Sequence, residues 1–318
     1  MTRLSYEEFR QFCLKSLEAM LDKEHYEAVF AQIRKNDEDV HDSIQFIEKD
    51  AKVGLIPSFR IKPFYQDYCD GQSLSDVMRR VLIAIEEAGS FTIDVDLNDF
   101  DQFDKIKDTL IIRPINYGRN RKLLENHLFT QVGDIALVLY NVMKSGSGIV
   151  ATTKVPKKTA LKWHPDADYL LKYALENTAR MYPPYILPLE RTLGGQKAIA
   201  KMPRRNKFFM NPLIKFQLLP SSMWTYFLSI EGGINGAIAA FYPGALERLA
   251  EIMDEDLYLS FTSVREAMVH KASEITADVI KEGARSNAEN PYLDGEDEFL
   301  SQSAYMFSRD DNSLKIVR

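Results

Sequence analysis

Recognisable chemical motifs are what this chain has least of. Its 318 residues include only two cysteines, two tryptophans and five histidines. Cys13 and Cys69 stand alone among helix-forming neighbours, which excludes a disulfide framework and suits a reduced compartment. The histidines, His25, His41, His127, His164 and His270, are far apart, make no His-x-x-x-His pair and adjoin neither cysteine, so no zinc site is expected. No Gly-x-Ser-x-Gly elbow and no Gly-Lys-Ser/Thr ending occurs, which removes the sequence signals of a serine hydrolase and of a phosphate loop. No run approaches 18 uncharged apolar residues, and the N-terminus has acids where a leader would be apolar. A protein without membrane span or signal peptide, placed in the cytoplasm, is therefore expected.

What is present is a composition able to build a core, with 45% hydrophobic residues and a net charge of −6. Ser5 with Glu8 and Ser73 with Asp76 are capping boxes opening helices to about Asp22 and Gly89. Strands are expected at 26–34, 43–48, 58–61, 109–115, 135–143 and 149–155, with a turn at Ser145–Gly148. Pro165 opens a further helix, which Pro183-Pro184 stops. In the C-terminal part Gly236–Tyr242 reads as a buried strand and Pro243 as the first helical position. Leu246, Leu249, Ala250 and Met253 form an apolar helical face, and Leu257–Phe261 and Val264–His270 are strands. The result is a β-α-β unit over about 236–270 whose first two strands are parallel, with a right-handed crossover. The fold class is α+β, with helices packed on mixed sheets. The halves are 1–128 and 129–318, unless the chain forms one continuous body.

Three stretches invite a functional reading. Asp94, Asp96 and Asn98 occupy positions 1, 3 and 5 of a calcium loop, but Asp99 stands where glycine is needed and Lys105 where the bidentate glutamate belongs. The expectation is a solvated helix start, with no metal and no cofactor. Between Arg191 and Ile230 there are seven Lys or Arg and no acid, with Phe208, Phe209, Phe216 and Trp224 interleaved. Lys197, Lys201, Arg204, Arg205 and Lys207, in the basic loop 191–220, are thus candidate contacts to single-stranded nucleic acid or another polyanion. The acids of 289–298 are equally suited to neutralise them within the molecule. Ser263, Arg265 and Glu266 lie just past the Leu257 strand, where a cryptic hydrolase-type site would sit.

GAIAAFYPGALERLAEIMDEDLYLSFTSVREAM, together with FRIKPFYQDYCDG, LIIRPINYGRNRKLLENH, GDIALVLYNVM and LLKYALENTARMYPP, resembles a family of uncharacterised bacterial proteins found mainly in gut clostridia and their relatives. The likeness spans most of the chain, and Tyr242, Pro243, Gly244 and Glu266 match the family pattern. Phe261, Thr262 and Ser263 replace its Pro-Ser-Ser, and Arg265 replaces its histidine, so no imidazole acid or base stands there. The resemblance implies a domain of unknown function and supplies no activity. The expectation is a non-catalytic binding module with another protein as partner and no membrane; nucleic-acid binding and a hydrolase are the rivals, and the oligomeric state is open.

Overall fold

The computed structural model describes residues 3–20, 24–34, 40–49, 58–89, 102–146, 149–192, 209–231, 235–289 and 299–317. The chain divides into two compact units, Met1–Leu97 and Asn98–Arg318. The division expected between residues 128 and 129 falls inside the second unit, where a strand before it pairs with a strand after it.

The first unit holds α1 (Tyr6–Met20), β1 (Tyr26–Arg34), β2 (Val40–Glu48), β3 (Ser58–Arg60), α2 (Ile61–Cys69) and α3 (Leu74–Gly89). Its three strands form an antiparallel sheet in the order β1-β2-β3. Both capping boxes close: the Ser5 N–H donates to Glu8 Oε2 at 2.7 Å, and the Asp76 N–H donates to Ser73 Oγ at 3.2 Å. Phe9, Cys13 and Leu17, one stripe of α1, pack with Ile44, Ile61, Val77 and Val81. Met20, at the end of the same helix, is exposed. Burial pushes the Cys13 thiol up to about 12, so it behaves as a small hydrophobe.

The second unit begins with the one-turn α4 (Phe103–Ile106), then β4 (Leu110–Asn116), the short α5 (Arg121–Leu124), β5 (Phe129–Val132), β6 (Ile135–Gly146), β7 (Ile149–Lys154), α6 (Lys157–Trp163) and α7 (Ala167–Met181). Asp166 caps α7 by accepting from the Asp168 and Tyr169 N–H groups. There follow β8 (Pro184–Pro188), β9 (Tyr226–Ile230), a 3₁₀ helix over Gly236–Phe241, α8 (Ala245–Met253), β10 (Leu257–Ser263), β11 (Glu266–Lys271), α9 (Ala277–Glu289), β12 (Ala304–Ser308) and β13 (Ser313–Ile316). One sheet runs β13-β12-β10-β11-β9-β8; the other runs β4-β6-β5, with β7 also pairing β6.

The α+β class holds, but two details differ from expectation. Every pairing among the described strands is antiparallel, so these sheets are not mixed. The β-α-β unit lacks its first strand, because Gly236–Phe241 is a 3₁₀ helix and the strand partners of β11 are β9 and β10. A short apolar run does not distinguish strand from buried helix, and its three alanines favour the helix. Pro243 lies one residue before the cap: Gly244, at φ 77°, is the N-cap of α8, and Asp254, at φ 60°, closes it. Among the described residues no helix is long and apolar enough to cross a membrane.

Small side chains let the 3₁₀ segment press against β4, β9 and β11, and Gly236 through Ala240 are all buried. A Cβ on Gly236 would lie 1.9 Å from Ser229 Oγ and 2.0 Å from the Arg265 carbonyl oxygen, atoms that already share a 2.8 Å hydrogen bond. Gly236→Ala is expected to lower unfolding free energy by about 3 kcal/mol, the upper range of overpacking. Urea denaturation of wild type and variant checks it; a loss below about 1 kcal/mol would show that the backbone yields freely.

Candidate functional site

A cleft of the second unit is built on β4. Among the described residues this strand pairs with β6 alone, and its other edge meets α7, where the Ile112 N–H donates to Thr178 Oγ1 at 2.8 Å. Alternation sends Leu110 and Ile112 into the central core and Ile111 and Arg113 to the opposite face. The Arg113 side chain reaches across β6, its guanidinium carbon 4.8 Å from the Tyr140 ring centroid. Nη1 donates to Thr152 Oγ1 of β7 at 2.7 Å, and Nη2 donates to Asn235 Oδ1 at 2.9 Å. Nε is buried without a hydrogen-bond partner. Both acceptors are neutral, and no ion pair joins Arg113 to any described residue. Burial raises the Tyr140 phenol, with the Arg113 charge acting in the opposite direction.

Around this guanidinium lies a cleft of ≈ 440 Å³, including its open mouth. Ile111, Ile112, Ile230 and Ile238 give it apolar walls; Thr152, Thr178, Tyr182 and Asn235 contribute polar atoms, and Glu231 supplies its acid. Asn235 is held in the left-handed region at φ 61°, a conformation that asparagine tolerates better than most residues. The cleft therefore unites hydrocarbon surface, one cation with unused donors and one carboxylate.

The residues expected from sequence fare differently. Ser263, Arg265 and Glu266 do come together, at the turn between β10 and β11. Ser263 Oγ donates to Glu266 Oε1 at 2.8 Å and accepts from the Arg265 N–H at 3.0 Å. With Ser263 only 5% exposed, this is the hydrogen bonding of a tight turn, and no histidine of the described residues bonds to the hydroxyl. Lys197, Lys201, Arg204, Arg205 and Lys207 lie outside the described residues, as do 290–298 and the Asp94–Asp99 stretch. Arg113 was not singled out from the sequence; its only signal is a lone cation inside the β-branched run Leu110–Asn116.

A second polar cluster joins the two sheets. The Asp134 carboxylate accepts from Ser301 Oγ at 2.8 and 2.9 Å, from Ser303 Oγ at 3.1 Å and from the Tyr305 hydroxyl. Tyr305 and Ser301 are fully buried and Ser303 is half-buried, and the cluster ties the β5–β6 turn to the start of β12. Burial, reinforced by the Asp134 charge, raises the Tyr305 phenol far above its ordinary value. Among the described residues no three His, Cys, Asp or Glu side chains gather as a metal site.

A family model matches residues 6–309. The chain belongs to a family of unknown function, DUF5688. No curated protein matches it, and no solved structure does. The Arg113 cleft, the Ser263 turn and the Asp134 cluster all lie within the span that defines DUF5688.

One more feature of this DUF5688 chain is electrostatic. In the 221–225 turn the Ser222 N–H donates to Glu190 Oε1 at 2.7 Å and holds that carboxyl below its usual range. Trp224, 56% exposed, sits at φ 55°, an unusual place for an aromatic residue. Beneath it His270, 6% exposed, shares a 3.2 Å hydrogen bond with Thr225 Oγ1. Burial lowers its pKa from 6.5 to about 4. The unfolded chain thus binds the extra proton first. The stabilisation is fully present above pH 6.5, falls as the pH drops through the window, and is gone below about 4. The shift amounts to about 3 kcal/mol. Urea titrations at pH 7 and pH 4.5 should show the stability advantage of wild type over His270→Gln shrinking by about 2 kcal/mol or more. An advantage that stays constant with pH would show that His270 titrates normally.

Proposed function

We propose that this protein is a non-catalytic binding protein, working in the cytoplasm, whose binding site is the Arg113 cleft and whose ligand is a small organic anion. One observation carries the reading. The Arg113 guanidinium is held by two neutral side chains and a ring, keeps a buried Nε–H unbonded, and has no carboxylate of the described residues as counter-ion. Of its five N–H donors two are used, so donors remain on this guanidinium for a carboxylate or phosphate. Partial burial of an uncompensated charge is costly, and a bound anion offsets that cost. The Ser263 and Asp134 clusters, by contrast, are bonded within themselves.

A second reading, contact with another protein, draws on the turn that displays Met223 and Trp224. Two exposed apolar side chains, one on a strained backbone, are costly for a turn that only connects strands. Nucleic-acid binding through Lys197, Lys201, Arg204, Arg205 and Lys207 rests on composition alone.

Isothermal titration of the full chain at low ionic strength, with acetate, propanoate and inorganic phosphate as probes, tests the anion site. Saturable binding of at least one probe is expected, with Arg113→Gln weakening it tenfold or more, equivalent to about 1.4 kcal/mol. Circular dichroism establishes that the variant is folded. If none of the three binds, or if folded Arg113→Gln binds as well as wild type, the site is not an anion receptor.

A further inference from the structure

A second surface of the same unit is built from residues that do not line the Arg113 cleft. Its origin is a bias in the sequence: 117–127 and 153–164 together hold seven Lys or Arg and one acid, Glu125, in a chain whose net charge is −6. The fold lays the two stretches side by side. Pro156 pairs with His127 in an isolated antiparallel bridge, and the Lys157 N–H donates to the Asn126 carbonyl at 2.7 Å. Between Arg121 and Asn126 the chain runs as α5 and the turn that follows it, so the cations of the two stretches start within roughly 10 Å of one another.

Buried amides fix the first stretch. Asn116 Nδ2 donates to the Leu300 carbonyl, Asn116 Oδ1 accepts from the Arg119 N–H, and Asn120 Nδ2 donates to the Asn116 carbonyl, each at 2.8 Å. Just past this turn the Arg121 guanidinium carbon stands 5.6 Å from the Tyr117 ring centroid, and that ring lies 6.0 Å from the ring of Phe129. A ring orients a guanidinium and leaves its charge uncancelled. On α6, Lys158 and Lys162 are one turn apart on the same side. Arg121, Lys157, Lys158 and Lys162 are all exposed, and none forms an ion pair with a described residue. Elsewhere Arg80, Arg180, Arg248, Lys271 and Arg309 each meet a carboxylate.

We infer that this surface binds nucleic acid through its phosphodiester backbone. Exposed, uncompensated Lys and Arg are what sequence-independent neutralisation of phosphates uses, and each phosphate contact releases a condensed counterion. Lysine is depleted from the cores of protein interfaces, so a surface led by three lysines suits a protein partner poorly. A small anion engages one or two of these charges at a time; a polymer with a charge at every repeat engages both stretches together. Arg121, already stacked on a ring, is the residue type that serves both phosphate and base contacts.

Fluorescence anisotropy of the full chain with two labelled probes, a single-stranded DNA of about 20 nucleotides and the matching duplex, tests the inference between 50 and 200 mM salt. Saturable binding of at least one probe is expected at the lower salt, and four phosphate contacts weaken it by about 50-fold to 150-fold at the higher. The triple variant Lys157→Ala, Lys158→Ala, Lys162→Ala, shown to be folded by circular dichroism, should bind at least tenfold more weakly and lower the salt slope by about 2 to 3. Absence of binding to both probes at 50 mM salt overturns the inference, and so does a folded triple variant that binds like wild type. A loss confined to Arg204→Ala, Arg205→Ala, Lys207→Ala places the contact on the basic loop and overturns it as well. Displacement of the probe by an equal charge of poly-L-glutamate, or by phosphatidylserine vesicles, replaces nucleic acid with an acidic protein or a membrane surface as the partner. The Arg113 anion site is read separately, by calorimetry with small carboxylates and phosphate, so either reading can fail alone.

Discussion

The second unit depends on a place where there is no room for a side chain. Gly236 brings its backbone so close to Ser229 Oγ and the Arg265 carbonyl that even a methyl group would overlap both. That approach seats the buried 3₁₀ segment against β4, β9 and β11, and from it several consequences follow. Ile238 becomes part of the cleft wall. Asn235, the preceding residue, is turned into the left-handed region with its amide oxygen at the Arg113 guanidinium. Tyr242, at the other end, donates its buried hydroxyl to the Tyr182 carbonyl at 3.0 Å and so ties the segment to the end of α7. A packing constraint on one glycine thereby sets the position of a charge 122 residues earlier in sequence than its amide partner.

The polar groups of this unit sort by how completely they are satisfied. At the β10–β11 turn and around Asp134 the serine and tyrosine hydroxyls find acceptors nearby, and these clusters stitch sheet to sheet or strand to strand. The guanidinium of Arg113 differs: it has directional partners that orient it and, among the described residues, no ion-pair partner that neutralises it. Orientation without neutralisation is the condition in which a binding group is ready for a ligand at little cost in reorganisation. The isoleucines around it lower the local polarity and strengthen whatever electrostatic contact is made there.

Much of the architecture was legible because it rests on local rules. Capping boxes at Ser5 and Ser73, the stripe of Phe9, Cys13 and Leu17 and the β-branched run of β4 express spacing preferences that act within a few residues. The segment at 236–241 was misread because Gly-Ala-Ile-Ala-Ala is apolar in every direction; with no polar face it carries no period. The pairing of β4 with β6 across the expected boundary was invisible for a related reason, since a polar stretch at 126–132 looks the same as a linker or as a one-turn helix and an edge strand. Ser263 closes β10 and Glu266 opens β11, and the hydrogen bonds between them are those of a tight turn.

By itself, the sequence determined an α+β chain of amphipathic helices and short strands, without motifs for metal, phosphate loop or catalytic elbow, because those features are written in neighbouring residues. Only the tertiary structure decided that the sheets pair antiparallel, that the small apolar run is a helix, and that Arg113 shares a cleft with Thr152, Asn235 and Glu231. A lone arginine in a strand carries no mark of its eventual surroundings. What it does is set by distance and solvent exclusion between residues far apart in the chain, and those quantities come into existence only when the core closes.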